Sequence, residues 1–182
     1  LTYSYNKNKL VTLSNSEYSN GYYEYEWLDA PGNPGNAFRL EEGKPVAHYY
    51  GYKFAGFTDE GKWLFYKQDG TTGTRSEVVP EDKQYLGTGA PDMFVGWNNR
   101  LRYKNWDLTI FFRGAFGFEI CNMKEMFNGN KNLLPKNVLL SAITKHKQLN
   151  DDAVWSDYYL EKGDYVKLDN LTVGYTVKMN NK

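Results

Sequence analysis

Apolar and polar residues alternate with a period of two through MFVGWNNRLRYKNWDLTIFFRGAFG, residues 93–117, and the phase resets at Lys104-Asn105. Before the reset Met93, Val95, Trp97, Leu101 and Tyr103 fall on one face, and Asn98, Arg100, Arg102 and Lys104 on the other. After it Trp106, Leu108, Ile110, Phe112 and Phe116 alternate with Asp107, Thr109 and Arg113. Successive side chains of a strand point to opposite faces, so each run predicts a strand, and a reset between them predicts a hairpin. Lys104-Asn105 would be a two-residue turn, with Asn105 tolerating the positive φ such turns need. That register sets Tyr103 against Trp106, Leu101 against Leu108 and Trp97 against Phe112 on the apolar face, and Arg102 against Asp107 as a cross-strand ion pair.

Two further segments alternate in the same way. In 1–13, Leu1, Tyr3 and Tyr5 alternate with Thr2, Ser4 and Asn6 before a polar NKNK stretch. In 165–177, Leu171, Val173, Tyr175 and Val177 alternate with Asn170, Thr172 and Thr176, and Gly174 marks a bend or close packing. The pattern therefore predicts an all-β chain with about four antiparallel strands, near 1–13, 93–104, 106–117 and 165–177. The long stretch 14–92, with its APGNPGNAF and QDGTTGT turns, is expected to carry short strands at 48–57 and 62–68. The stretch 118–164 is expected to carry two short helices, one in FEICNMKEMFNG through Phe118, Met123, Met126 and Phe127, the other over 137–147 through Val138, Leu139, Ala142 and Ile143.

Each arm of the hairpin has about eleven residues, enough to cross a bilayer's hydrocarbon when tilted. Aromatics at the turn suit an interfacial girdle, and arginines on the other face suit a water-filled lumen. A soluble sandwich has similar strands and buries the apolar face in a core, so the alternation leaves both readings open. Topology favours the membrane: with a tight turn at one end, 14–92 and 118–164 both emerge at the other, as in barrels with short periplasmic turns and long extracellular loops.

Composition adds little. The 182 residues carry 22 basic and 22 acidic side chains, so no net field argues for nucleic acid. Aromatics are 17% of the chain although the mean hydropathy is −0.70, which fits a barrel with wet loops or a secreted sugar-binding module. The single Cys121 excludes a disulfide framework and reads as a small apolar residue. His48 and His146 belong to no ligand motif, no nucleophile motif is present, and the acidic pairs Glu41-Glu42, Asp59-Glu60 and Asp151-Asp152 sit in loop-like sequence and read as solvated surface rather than a hydrolase pair. No catalytic, cofactor or metal residue is expected. Leu1 opens inside the strand-like LTYSYNKNKLVTL, which suggests a section of a longer chain.

An ordered series of segments then resembles a known family: SYNKNKL, EEGKPVAHYYGYKFAGF, a DG-containing stretch, DKQYLGTGAPDMFVGWNNRLRYKNWDLTIFFRGAFGFEICN, and YLEKGDYVKLDNLTVGYT. In this order they resemble the SusC/RagA-like TonB-linked outer-membrane transporters. The resemblance implies a barrel of roughly 22 strands around an internal plug, in the outer membrane of a Gram-negative bacterium, of which this chain supplies a late section. It departs from the family in having no plug, no TonB-contacting segment and no barrel closure. It also implies partners: a SusD-like surface lipoprotein that caps the barrel, TonB acting through the absent N-terminal region, membrane lipid, and an oligosaccharide or peptide cargo.

On that reading Arg100, Arg102, Asp107, Thr109 and Arg113 face the lumen, where they contact plug or cargo or simply pair among themselves. Trp97, Leu101, Tyr103, Trp106, Leu108, Ile110 and Phe112 face lipid. Tyr49, Tyr50, Tyr52, Phe54 and Trp63, in the first long loop, are candidates to meet the lipoprotein or stack on cargo, with packing of the loop upon itself the plainer alternative. The soluble secreted carbohydrate-binding sandwich remains the competing reading.

Overall fold

The 93–117 repeat does form a hairpin in the computed structural model, which describes residues 1–28 and 35–178. In chain order the strands are β1 (Thr2–Tyr5), β2 (Tyr22–Leu28), β3 (Gly35–Glu41), β4 (His48–Gly51), β5 (Phe54–Phe57), β6 (Trp63–Tyr66), β7 (Thr72–Thr74), β8 (Gln84–Thr88), β9 (Met93–Tyr103), β10 (Trp106–Phe116), β11 (Glu119–Cys121), β12 (Leu160–Lys162) and β13 (Tyr165–Tyr175). Helix α1 (Met123–Asn128) follows β11. Contacts divide the chain into two units, one of Leu1–Lys7, Pro91–Phe118 and Gly163–Lys182, the other of Asn8–Ala90 and Glu119–Lys162.

The first unit is a four-stranded antiparallel sheet in the order β1-β9-β10-β13. Tyr103 pairs with Trp106, Arg102 with Asp107, Leu101 with Leu108 and Trp97 with Phe112, the register expected from the alternation. The turn differs in one respect. Its positive φ, 53°, falls on Lys104 and not on Asn105; a positive angle at the first central residue is common to both turn types that suit a tight hairpin, whereas one at the second is needed by only one of them. Phe116 pairs with Met93 at the far end, and the chain leaves the sheet for the second unit at 7–8, 90–91, 118–119 and 162–163, all at strand ends away from Lys104-Asn105.

The first strand is shorter than the 1–13 expected. It ends at Tyr5, after which the Asn6 amide donates to the Asp92 carbonyl at 2.8 Å. Residues from Asn8 onward belong to the second unit, where the Leu10 amide donates to Lys44 O at 2.9 Å and Glu42 Oε1 accepts the Leu13 and Ser14 amides at 2.7 and 2.6 Å. The NKNK stretch has no apolar alternation to commit to a sheet face, so loop hydrogen bonds take its backbone. In β13 an extra residue, Asp169, interrupts the pairing with β10: Phe111 meets Asn170 and Phe112 meets Leu168. This β-bulge lets Leu168 and Leu171, three apart in sequence, share a face.

The second unit contains the sheets β2-β3-β4-β8, β5-β6-β7 and β11-β12. The 48–57 strand expected from the pattern is two strands, since β4 pairs with β8 and β5 with β6, and Tyr52 between them bridges to Ser156. Of the helix expected over FEICNMKEMFNG only the second half forms, as α1, capped by the Asn122 side chain, which accepts from the Glu125 amide at 3.1 Å; the first half is strand β11, Glu119–Cys121, paired with β12. The 137–147 helix does not form: the segment holds a 3-10 turn at Leu140–Ala142 and then loops back. Its apolar periodicity covers barely one turn, and Ser141 and His146 are both drawn to Glu125 instead. The APGNP part of the expected loop falls within 29–34, outside the described residues.

Burial explains how so irregular a unit holds together. Trp63 and Phe65 on β6 are fully buried, with Trp155, Met126, Leu149 and Tyr159 around them. Trp63 makes edge or tilted contacts with Phe54, Phe57, Tyr158 and Tyr159, ring centroids 5.1–6.0 Å away, an arrangement favoured by the ring quadrupoles. Buried polar atoms are satisfied by the chain: Trp63 Nε1 donates to Asp152 O at 2.7 Å and Trp155 Nε1 to Tyr50 O at 2.8 Å.

A second anchor is polar. His146 is 2% exposed, with Nε2 at 2.9 Å from Glu125 Oε2 and Nδ1 at 2.5 Å from the Tyr158 hydroxyl. Ser141 Oγ donates to the same carboxylate oxygen at 2.5 Å. The network closes when Nε2 carries the proton and donates to Glu125, and Nδ1 accepts from Tyr158. Partial burial works to raise the Glu125 pKa, but the hydrogen bonds from Ser141 and His146 and the nearby Lys145 outweigh it and hold the carboxyl below its ordinary 4.5.

Two outcomes are expected. Trp63→Ala removes the central ring and destabilises this unit by about 3–5 kcal/mol, read as a lower denaturant midpoint of its tryptophan fluorescence; an unchanged midpoint contradicts this packing. Because the folded value of Glu125 is depressed, its contribution is present above pH 4.5 and is lost as pH falls through the lowered value. Glu125→Gln should lower stability at neutral pH and flatten the acid limb of a stability–pH curve, and parallel curves for the two proteins would contradict the network.

Candidate functional site

The register of the first unit decides which side chains share a face. Arg100, Arg102, Asp107, Thr109 and Arg113 all fall on one face, together with Asn98 and Phe111, and with Lys167, Asn170, Thr172 and Gly174 of β13. The five candidates of the polar face are therefore brought together. Their pairing is not the one expected. Arg102 and Asp107 are register partners, yet among the described residues they form no ion pair within 4 Å. Asp107 instead packs on Gly174, where an added Cβ would lie 2.6 Å from its Oδ1. The missing side chain leaves room for the carboxylate at this point.

The ion pairs of this face centre on the bulge. Asp169 Oδ2 lies 3.2 Å from Arg113 Nε, and Asp169 Oδ1 lies 3.2 Å from Lys167 Nζ. Sequence reasoning missed Asp169 and Lys167. Unbroken alternation back from Leu171 would have put both on the apolar face; the available signal was the change of phase between YVKL and NLTVGY.

Trp97, Leu101, Tyr103, Trp106, Leu108, Ile110 and Phe112 occupy the opposite face with Tyr3, Tyr5, Leu168, Leu171, Val173 and Tyr175. Trp97 stacks on Phe112 with centroids 5.7 Å apart, and Trp106 meets Tyr175 at 4.8 Å. The face is exposed: Leu101 is 57%, Tyr103 71% and Val173 62% accessible. A sandwich would bury these side chains under a second sheet, whereas so large an apolar patch in the open needs another covering.

The loop aromatics are placed differently from one another. Trp63, Tyr49 and Tyr50 are buried, and Tyr52 and Phe54 are half-buried against the core. Trp63, Tyr49 and Tyr50 thus present no free ring to a partner or cargo, because the loop folds around them. Aromatics that are exposed in this unit include Tyr22, Tyr23 and Trp27 of β2; their exposure does not alternate along YYEYEWL, so no periodicity in the sequence could have flagged them. There Arg39 lies between the Tyr22 and Tyr50 rings, 4.2 and 3.6 Å from their centroids, and pairs with Glu24 at 2.6 Å.

Among the described residues no group of three or more His, Cys, Asp or Glu side chains is placed to hold a metal. The Cys121 thiol donates to Met123 Sδ at 3.5 Å, and burial pushes its pKa up to about 12, which keeps it protonated.

No family model matches the chain. Over 96% of its length it is 28% identical to TonB-dependent receptor P3 of Formosa agariphila. The chain is similar to a section of TonB-dependent receptors. TonB-dependent receptor P26 of the same organism is also 28% identical, over 68% of the chain. In fold it resembles a chain of the RagAB peptide transporter, with a TM-score of 0.68 over 95% of its length at 20% identity, and of the RagAB peptide importer in the open-open state, with a TM-score of 0.66 at 18% identity. The family resemblance read from the motifs is borne out, as is the fold class: antiparallel strands like those of a TonB-dependent transporter barrel, here not closed. The chain spans 19% and 13% of the two receptors and 20% and 19% of the two RagAB chains.

Gly174→Val would put a side chain where the Asp107 carboxylate lies and should weaken the β10–β13 pairing by about 1–3 kcal/mol. The check is the urea midpoint of the folded protein; a midpoint equal to wild type contradicts the close approach.

Proposed function

We propose that this chain is a section of the barrel wall, with its extracellular loops, of a TonB-dependent outer-membrane transporter. Strands β1 (Thr2–Tyr5), β9, β10 and β13 form wall; the second unit, 8–90 and 119–162, forms loops on the cell surface; plug and barrel closure lie elsewhere in the polypeptide. The transporter takes up oligosaccharides or peptides together with a SusD-like surface lipoprotein, and TonB drives release through the plug. The chain contributes lipid-facing side chains, lumen lining and loop, and no catalysis.

The observation that carries the reading is the two-faced sheet: an exposed apolar face backed by a charged one, in a chain that aligns along nearly all its length with TonB-dependent receptor P3. The RagAB likeness favours a peptide cargo, since that relative is a peptide transporter.

Ile110→Arg in the full-length protein places a charge on the lipid-facing side and should cost about 2–4 kcal/mol of insertion, read as loss of the folded, heat-modifiable form from outer-membrane fractions. Thr172→Arg, on the opposite face, should insert normally. Equal behaviour of the two variants would refute the proposal.

A further inference from the structure

Arg100 and Arg102 form a basic pair that makes no ion pair with an acid of the sheet among the described residues. They stand two residues apart on β9 with exposed side chains on the same face, which spaces them about 7 Å along the strand. Of the acids of that face, Asp169 holds Arg113 and Lys167, and the Asp107 carboxylate, although opposite Arg102 in register, lies over Gly174 and forms no ion pair within 4 Å among the described residues. Among the described residues neither Arg100 nor Arg102 forms an ion pair or a side-chain hydrogen bond. Thr109 stands opposite Arg100 and Thr172 opposite Thr109, so neutral hydroxyls adjoin the pair.

Two like charges held side by side by strand geometry repel, and an anion between them removes the repulsion. A guanidinium group offers paired N–H donors in a planar fork that matches the two oxygens of a carboxylate. We infer that Arg100 and Arg102, with Thr109, form a carboxylate-binding site on the polar face of this sheet. Its access to a solute from the lumen rests on the barrel reading above. The carboxylate comes either from an acidic side chain elsewhere in the polypeptide lodged against this wall or from a solute passing it.

The full-length protein in detergent is titrated with tetraglutamate, with tetraglutamine as neutral control, and its melting is followed at low and high salt. If a solute supplies the carboxylate, the wild type prefers tetraglutamate, R100Q/R102Q loses about tenfold or more of that preference, and R100K/R102K keeps part of it. If the polypeptide supplies it, no such preference is seen, but added salt lowers the melting temperature of the wild type and not of R100Q/R102Q. A wild type with neither preference nor salt sensitivity overturns the site, and this holds even where the glutamine variant fails to fold. So does a glutamine variant that melts lower with its salt sensitivity intact, which marks a merely structural role.

The barrel reading is checked apart from this. In reconstituted bilayers a charged thiol reagent should modify Asn98→Cys and spare Leu101→Cys. Equal modification defeats the barrel reading and leaves carboxylate binding to be judged by the titration.

Discussion

Strand register is the constraint on which the first unit depends. A slip of one residue between β9 and β10 would carry every side chain to the wrong face, setting Arg100 and Arg102 among the apolar residues and Leu101 among the charges. The two faces differ so sharply that the alternatives are strongly disfavoured, and the two-residue turn at Lys104-Asn105 leaves no slack. What the sheet contacts on either side follows from this one alignment.

The same constraint made the hairpin legible in the sequence. Tyr103 against Trp106 and Trp97 against Phe112 could be read because turn chemistry and face chemistry demanded the same register. β13 was legible only from Asn170 onward, because an inserted residue changes the phase without any glycine or proline to mark it. Charge pairing was misread where it depended on depth of packing: opposition in register placed Asp107 across from Arg102, but the carboxylate lies over the empty side-chain position at Gly174.

The second unit was much less legible. Its strands are three to seven residues long and it is held by contacts far apart in sequence, such as Trp63 with Asp152 and Trp155 with Tyr50. Periodicity reports on regular elements, and a core assembled from loop aromatics has almost none. Hence Tyr49, Tyr50 and Trp63 looked like recognition residues from their chemical type alone, while burial makes them the framework. The exposed rings of β2 were passed over for the same reason: nothing in the sequence distinguishes a tyrosine that supports a loop from one that faces solvent.

The bulge at Asp169 also bears on how this strand tolerates change in length. A surplus residue in a two-faced strand ordinarily inverts everything upstream of it, which makes single-residue insertions among the least forgivable alterations to a wall. Here the surplus residue is itself the anion that Arg113 and Lys167 share, so the irregularity is tied down by the charges it brings together. Removing it would leave Leu168 opposite Phe112 and Lys167 opposite Arg113 in an unbroken ladder, but would set those two cations side by side without their counter-ion, so the strand's chain length and its charge balance are coupled.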